Sequence, residues 1–159
     1  MKTIKKIAIY DMDGTIVSSL HRYRTVKAQD GTEKIDLQFW RDNEYRAMDD
    51  SLLPMAEQYK QDLKDESTFV IIATARVMRE PDYKFVREIL GEPDYLISRK
   101  DGDTRSGGLL KINGLQKFFN LKNFKNAYAV FYEDNVQYLK AVCDHFNIAG
   151  VYVPSKQGH

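Results

Sequence analysis

The sequence predicts an α/β sandwich: a mostly parallel sheet with helices on both faces and no large cap domain. Short β-branched apolar runs alternate with amphipathic stretches whose apolar residues recur at helical spacing. The first run, Ile7-Ala8-Ile9-Tyr10, passes directly into Asp11-Met12-Asp13-Gly14-Thr15. Acids at the carboxyl end of a buried strand occupy the edge where open α/β sheets bind ligands. The length, 159 residues, suits one substantial core, so a single domain over 1–159 is expected.

Taken in order, strands are expected at 6–10, 68–73, 95–98, 127–132 and 150–153. Residues 83–90, 109–119 and 136–146 read as helices. Pro81 suits a first helical turn, and Gly91-Glu92-Pro93 ends that helix. The segment 16–66 differs from the rest. Its part 21–34 is polar with an Asp30-Gly31 turn, while 37–63 looks helical with a break near Pro54. It reads as an elongated loop and helical crossover, a rudimentary cap at most, which leaves the active edge open.

Composition narrows the function. With 24 basic and 23 acidic residues the formal net charge is +1, so no global field advertises a polyanion partner. The one cysteine, Cys143, excludes an internal disulfide or a multi-cysteine zinc site and reads as a small packing residue. No run approaches a membrane span and the start leads straight into a strand, so a soluble, cytoplasmic protein without an obligate protein partner is expected. His21, His145 and His159 have no metal-ligand spacing, and the tail 155–159 is polar.

Asp11 and Asp13 carry the chemistry. Two carboxylates this close are unfavourable unless a cation or a shared proton relieves them, which asks for Mg²⁺ or for one ionised and one protonated acid. A strand end with a plain Asp-Gly turn is the alternative. Thr74 and the following N–H can hold a phosphate oxygen, and Arg76 can add a bidentate contact. Glu133 and Asp134 offer further oxygen ligands for Mg²⁺, although Asp134 could simply cap the next helix. Lys111, or in competition Lys100, could neutralise a phosphate.

These segments resemble the haloacid dehalogenase (HAD) superfamily of phosphotransferases. Asp11-x-Asp13-x-Thr15 matches its first motif, Thr74 its second, Lys111 its third and Glu133-Asp134 its fourth. The resemblance implies a Rossmann-like three-layer fold and Asp11 as the nucleophile that takes the phosphoryl group. Asp13 would be the acid and base. Mg²⁺ would be held by Asp11, the Asp13 carbonyl, Asp134 and Glu133. The second acid argues for phosphomonoester chemistry, since members that cleave carbon–halogen bonds lack it. Thr15 after Gly14 departs from the ion-pumping branch.

A closer resemblance is to the 3′-phosphatase domains of the bacteriophage polynucleotide kinase/phosphatase family. It rests on Leu53-Pro54-Met55, on 71–76, on Gly102-Asp103-Thr104-Arg105 and on 133–137. By that likeness Arg76 and Asp103 line the site, Arg105 lies near the substrate with Thr15, and Arg22 or Arg24 stands for a loop arginine. Ser106-Gly107-Gly108 departs from the charged residues of that family. Arg76, Arg79, Arg99, Lys100 and Arg105 would form a basic rim, and Tyr23, Phe39 and Trp40 could stack a base or simply pack. The expected substrate is a polynucleotide 3′ end or a nucleotide. A small-molecule phosphatase for sugars or 5′ mononucleotides, or a non-catalytic module that binds phosphate ends, stays open.

Overall fold

The computed structural model describes residues 3–22 and 24–155. Tyr23, His159 and the rest of the tail from 156 lie outside the described residues. Five parallel strands form the central sheet in the order β7-β6-β1-β8-β9. They are β1 Lys6–Tyr10, β6 Thr68–Val77, β7 Tyr95–Arg99, β8 Tyr128–Glu133 and β9 Ala149–Tyr152. From β1 the chain builds outward to β6 and β7, then returns to place β8 on the other side of β1. That reversal puts a crevice at the carboxyl ends of β1 and β8, the switch point at which such sheets bind ligands.

Alternation along β1 assigns the two faces, because successive strand residues point to opposite sides. Ala8 and Tyr10 join Val70 and Ile72 against Ala56 and Tyr59 of α2 (Ala56–Lys64) and Phe85 of α3 (Glu80–Phe85). Ile7 and Ile9 join Ile71, Ala73 and Phe131 against Leu110, Leu115 and Phe118 of α4 (Gly107–Phe119) and Val142 of α5 (Val136–Phe146). Asp11 continues the parity of Ile7 and Ile9 and so turns toward α4.

Three elements differ from expectation. β6 runs on to Val77, so Thr74 and Arg76 lie within the strand and not after it. Its pairing with β7 shifts register between Ala73 and Val77, which lets the strand continue while its side chains turn to the site. α4 starts at Gly107, capped by Ser106 Oγ accepting from Leu109 N–H at 3.2 Å, so Lys111 sits in the second turn and does not open the helix. The segment 37–63 is no single helix. It divides into α1 (Leu37–Asp42), a 3₁₀ turn Glu44–Asp49, β5 (Ser51–Leu52) and α2. β5 pairs antiparallel with β2 (Val17–Ser18), and β3 (Thr25–Lys27) pairs with β4 (Glu33–Ile35) as a hairpin. The hairpin turn includes Gly31 at φ +83°, in agreement with the Asp30-Gly31 signal. These pieces pack on the sheet, and no cap domain is evident among the described residues.

Candidate active site

The loop after β1 is fixed by its own backbone. Asp11 N–H donates to Tyr132 C=O at 2.9 Å, and Gly14 N–H to Val17 C=O at 2.9 Å. Gly14 adopts φ +82°, and a Cβ there would run into the carboxylate of Asp134 and the hydroxyl of Ser155. Glycine is therefore required both by the turn and by the approach of Asp134.

Asp11 is held at both oxygens. Lys111 Nζ donates to Oδ1 at 2.8 Å and Thr15 Oγ1 to Oδ2 at 3.0 Å. The same ammonium donates to Glu133 Oε1 at 2.7 Å. Burial works against the charge on Lys111, but Asp11 and Glu133 outweigh it and hold the ammonium above the ordinary lysine range. Burial pushes Asp11 up, yet the charge of Lys111 and the surrounding hydrogen bonds bring it below the usual carboxylate range. Glu133 goes the other way, raised by burial and by Asp11 despite Lys111.

Asp134 completes the group. Burial, then the charge of Asp11, pushes its carboxyl up to about 8. Both oxygens are buried and, among the described residues, neither has a hydrogen-bond donor within bonding distance, although Ser155 and Asp11 are close enough to act on its titration. One oxygen each from Asp11, Glu133 and Asp134 lie within 4.8 Å of one another. Three acids against one ammonium, with two orphan carboxylate oxygens among them, is the donor set a hard divalent cation needs. The residues fit Mg²⁺.

A cavity of about 550 Å³ opens over this group. Asp11, Asp13, Thr74, Arg76, Asp103, Arg105, Lys111, Glu133 and Asp134 all line it, so these nine residues singled out from the sequence meet at one place. Thr15 is fully buried behind Asp11 and serves that carboxylate. Lys100 is exposed and off the cavity, so Lys111 is the lysine at the acids. Arg76 is committed to carboxylates: it donates to both oxygens of Asp13, Nε at 3.1 Å, and to Asp82 at 2.6 Å. Its charge stays far above the ordinary range, since those acids outweigh the burial that opposes it. Thr74, buried, accepts the Arg76 N–H at 3.1 Å.

Two arginines of the expected basic rim are paired with acids. Arg79 pairs with Asp101 at 2.9 Å and Glu44 at 3.7 Å, and Arg105 with Asp103 at 2.7 Å. The Arg105 hydrogen bond holds Asp103 at about 2. Arg99 donates to the carbonyls of Ala75, Asp103 and Arg105. The segment between β1 and β6 contributes a wall of Ile35, Leu37 and Trp40, together with the charged Arg41 and Glu44. Phe39 is not in the wall and packs under Arg24 at 4.3 Å. The sequence reading passed over Asp50 and Asp82, which bind the arginines behind the site. No local pattern marks Asp50, since its arginine partners lie 28 and 26 residues away, whereas Asp82 accepts the Arg79 N–H at the start of α3, a capping pattern that a sequence can show.

Fold and site together define an α/β protein with an acidic, cation-fitting centre at the switch point of a parallel sheet. Residues 1–149 match the family described as bacteriophage T5 5′-deoxynucleotidase, and the chain belongs to that family. Over 88 residues it is 34% identical to the 5′-deoxynucleotidase of Escherichia phage T5, a stretch that is 54% of this chain and 35% of that protein. The chain thus spans about a third of the length of that curated relative. Among solved structures, a chain of the Pnkp1/Rnl/Hen1 complex superposes with TM-score 0.64 at 20% identity, over 96% of this chain and 46% of that one. A chain of the Pnkp1/Rnl/Hen1 RNA repair complex gives 0.64 at 19%, over 98% and 44%. At these identities the likeness is one of fold. No helix among the described residues is long and apolar enough to cross a membrane.

Proposed function

We propose that this chain is a Mg²⁺-dependent, HAD-type phosphomonoesterase that removes the phosphate of deoxynucleoside 5′-monophosphates by way of an aspartyl-phosphate at Asp11. The observation that carries the reading is the arrangement at the switch point: Asp11 held at both oxygens by Lys111 and Thr15, beside two acids whose oxygens call for a cation. Family membership and the 5′-deoxynucleotidase relative supply the substrate class.

In this reading Asp11 attacks phosphorus and the ester oxygen departs with a proton from Asp13. Asp13, now a carboxylate, takes a proton from water, whose oxygen attacks the acyl phosphate, releasing inorganic phosphate and restoring Asp11. Lys111 and Thr15 keep the nucleophile oriented, and Thr74 lies where it can hold a phosphoryl oxygen. Asp11, the Asp13 carbonyl, Asp134 and Glu133 would hold Mg²⁺, which when bound neutralises the phosphate and the acids around it. The wall of Ile35, Leu37 and Trp40 gives the nucleoside an apolar surface, and the pairing of Arg79 and Arg105 with acids suits a mononucleotide better than a phosphodiester chain.

The test is phosphate release with Mg²⁺ from deoxynucleoside and ribonucleoside 5′-monophosphates, 3′- and 5′-phosphorylated oligonucleotides and sugar phosphates. Deoxynucleoside 5′-monophosphates are expected to turn over fastest. Preference for the 3′-phosphorylated oligonucleotide would move the assignment to polynucleotide ends, and turnover of sugar phosphates alone would remove nucleotides altogether. Tight capture of a phosphorylated end with no release from any substrate would leave a binding module.

A further inference from the structure

Behind Asp13 lies a buried chain of alternating charge. The Arg76 side chain, 1% exposed, donates to Asp13 and Asp82, and its Nη2 also approaches Asp50 Oδ2 at 3.4 Å. Asp50 comes from the segment between β1 and β6, just before β5, and its side chain is fully buried. Arg22 donates to it twice, Nε and Nη2 each at 2.9 Å, and His21 Nε2 lies 2.7 Å from Oδ1. Trp40 covers both guanidinium groups, at 4.1 Å from Arg22 and 5.2 Å from Arg76.

A guanidinium is a planar fork, so its orientation follows from all the acceptors around its rim. An arginine bound to Asp13 alone could swing with it. Here Asp82 and Asp50 fix the other edges, which leaves the fork facing Asp13 in one direction. Buried ion pairs are weak evidence for stability, because apolar side chains of similar volume commonly do as well. The group has another use: Asp13, at 14% exposed, is its most open member at the cavity, whereas Arg22, Arg76, Asp50 and Asp82 are 2% exposed or less.

We infer that Asp50 is a positioning residue for Asp13, acting through Arg76, and that Arg22 and Trp40 lock Asp50 and the two guanidinium planes in place. The inference rests on the proposed role of Asp13 as proton donor to the leaving oxygen. It makes the β1–β6 insertion part of the acid/base apparatus as well as a wall for substrate.

A misplaced proton donor harms alkoxide leaving groups far more than p-nitrophenolate, which leaves without a proton. The experiment therefore measures Asp50→Asn on a deoxynucleoside 5′-monophosphate and on p-nitrophenyl phosphate. The kcat/KM ratio between the two substrates, which reads only the steps up to departure of the leaving group and not the later hydrolysis in which Asp13 acts as base, is expected to fall by about tenfold or more, toward the range that general acids supply, with KM for the nucleotide changing less than kcat. Trp40 is the one tryptophan, so its emission reports whether the packing on Arg22 survives. Should Asp50→Asn fold poorly, Arg22→Lys keeps the charge but gives up the two-bond grip on Asp50, and the ratio is expected to fall in the same direction by less. An unchanged kcat/KM ratio in a folded variant, whether both values are retained or both fall equally, overturns the inference and makes the network purely structural. A wild type that hydrolyses neither substrate overturns the proposed function, and this inference with it.

Discussion

Lys111 is the residue on which the charge balance of the site turns, since one ammonium serves both Asp11 and Glu133 while Asp134 has no ion pair among the described residues. Asp11→Asn removes the nucleophile but keeps the shape, so phosphate release should fall by at least about a thousandfold while the melting profile is retained. Near-normal release would exclude Asp11 as nucleophile. The Asp134 carboxyl, raised from its usual value to about 8, gives a pH dependence with a definite sign. A group whose folded-state pKa is raised stabilises fully below its unfolded value and loses that contribution as pH rises through the folded one. Asp11, lowered, acts oppositely, contributing above its unfolded value and losing it as pH falls. Metal-free protein should therefore lose stability between about pH 4 and about pH 8, and the rise in Tm on adding Mg²⁺ should be larger at pH 8 than at pH 5. Thermal scans with chelator and with Mg²⁺ decide it, and a shift equal at both pH values or larger at pH 5 counts against a cation at Asp134. At this scale the site was largely legible, because Asp11, Asp13, Glu133 and Asp134 sit beside strand ends that their apolar runs announce. Asp50 and the pairing of Arg76 with Asp13 were not, since those ion pairs span tens of residues and leave no local pattern.

Among the elements, α4 decides where Lys111 points. Its approach to β7 is set by Gly114, where a Cβ would lie 2.6 Å from Ile97 Cγ2. Ile97 is buried in the sheet and its branched side chain has little room to turn. Overpacking there costs about 1–3 kcal/mol, against a helix preference for Ala of up to about 1 kcal/mol. Gly114→Ala should be net destabilising in urea titrations, with a loss of activity as Lys111 shifts; a gain in stability would show that α4 can move away freely. The strands with alternating or fully apolar runs were readable to within a residue or two in four of the five central cases. β6 was not, because its last residues carry polar site groups and look like a loop. The insertion was read as helix in 37–63 since its apolar spacing is helical, but Asn43, Asp50 and Pro54 break it into short pieces that only tertiary packing holds.

For the whole molecule, a near-neutral formal charge and a rim of paired arginines set the response to polyanions. Proteins that track a nucleic-acid backbone through many phosphate contacts lose about 10³–10⁵ in affinity between about 50 and 200 mM salt, whereas oligonucleotide binding here should change by less than about tenfold. A steep salt slope would reinstate a polynucleotide substrate. The parallel sheet with helices on both faces was legible from alternation and spacing, and the order of the motifs located the active edge. The state of the rim was not, because it depends on how Arg79, Arg99 and Arg105 find partners in three dimensions. The central claim is phosphoryl transfer to Asp11. Quenching the Mg²⁺-activated protein during turnover of a deoxynucleoside 5′-monophosphate, reducing it with borohydride and mapping peptides by mass spectrometry tests this most directly. Conversion of residue 11 to homoserine, absent without substrate, is the predicted result; continued turnover with residue 11 unmodified throughout would contradict it.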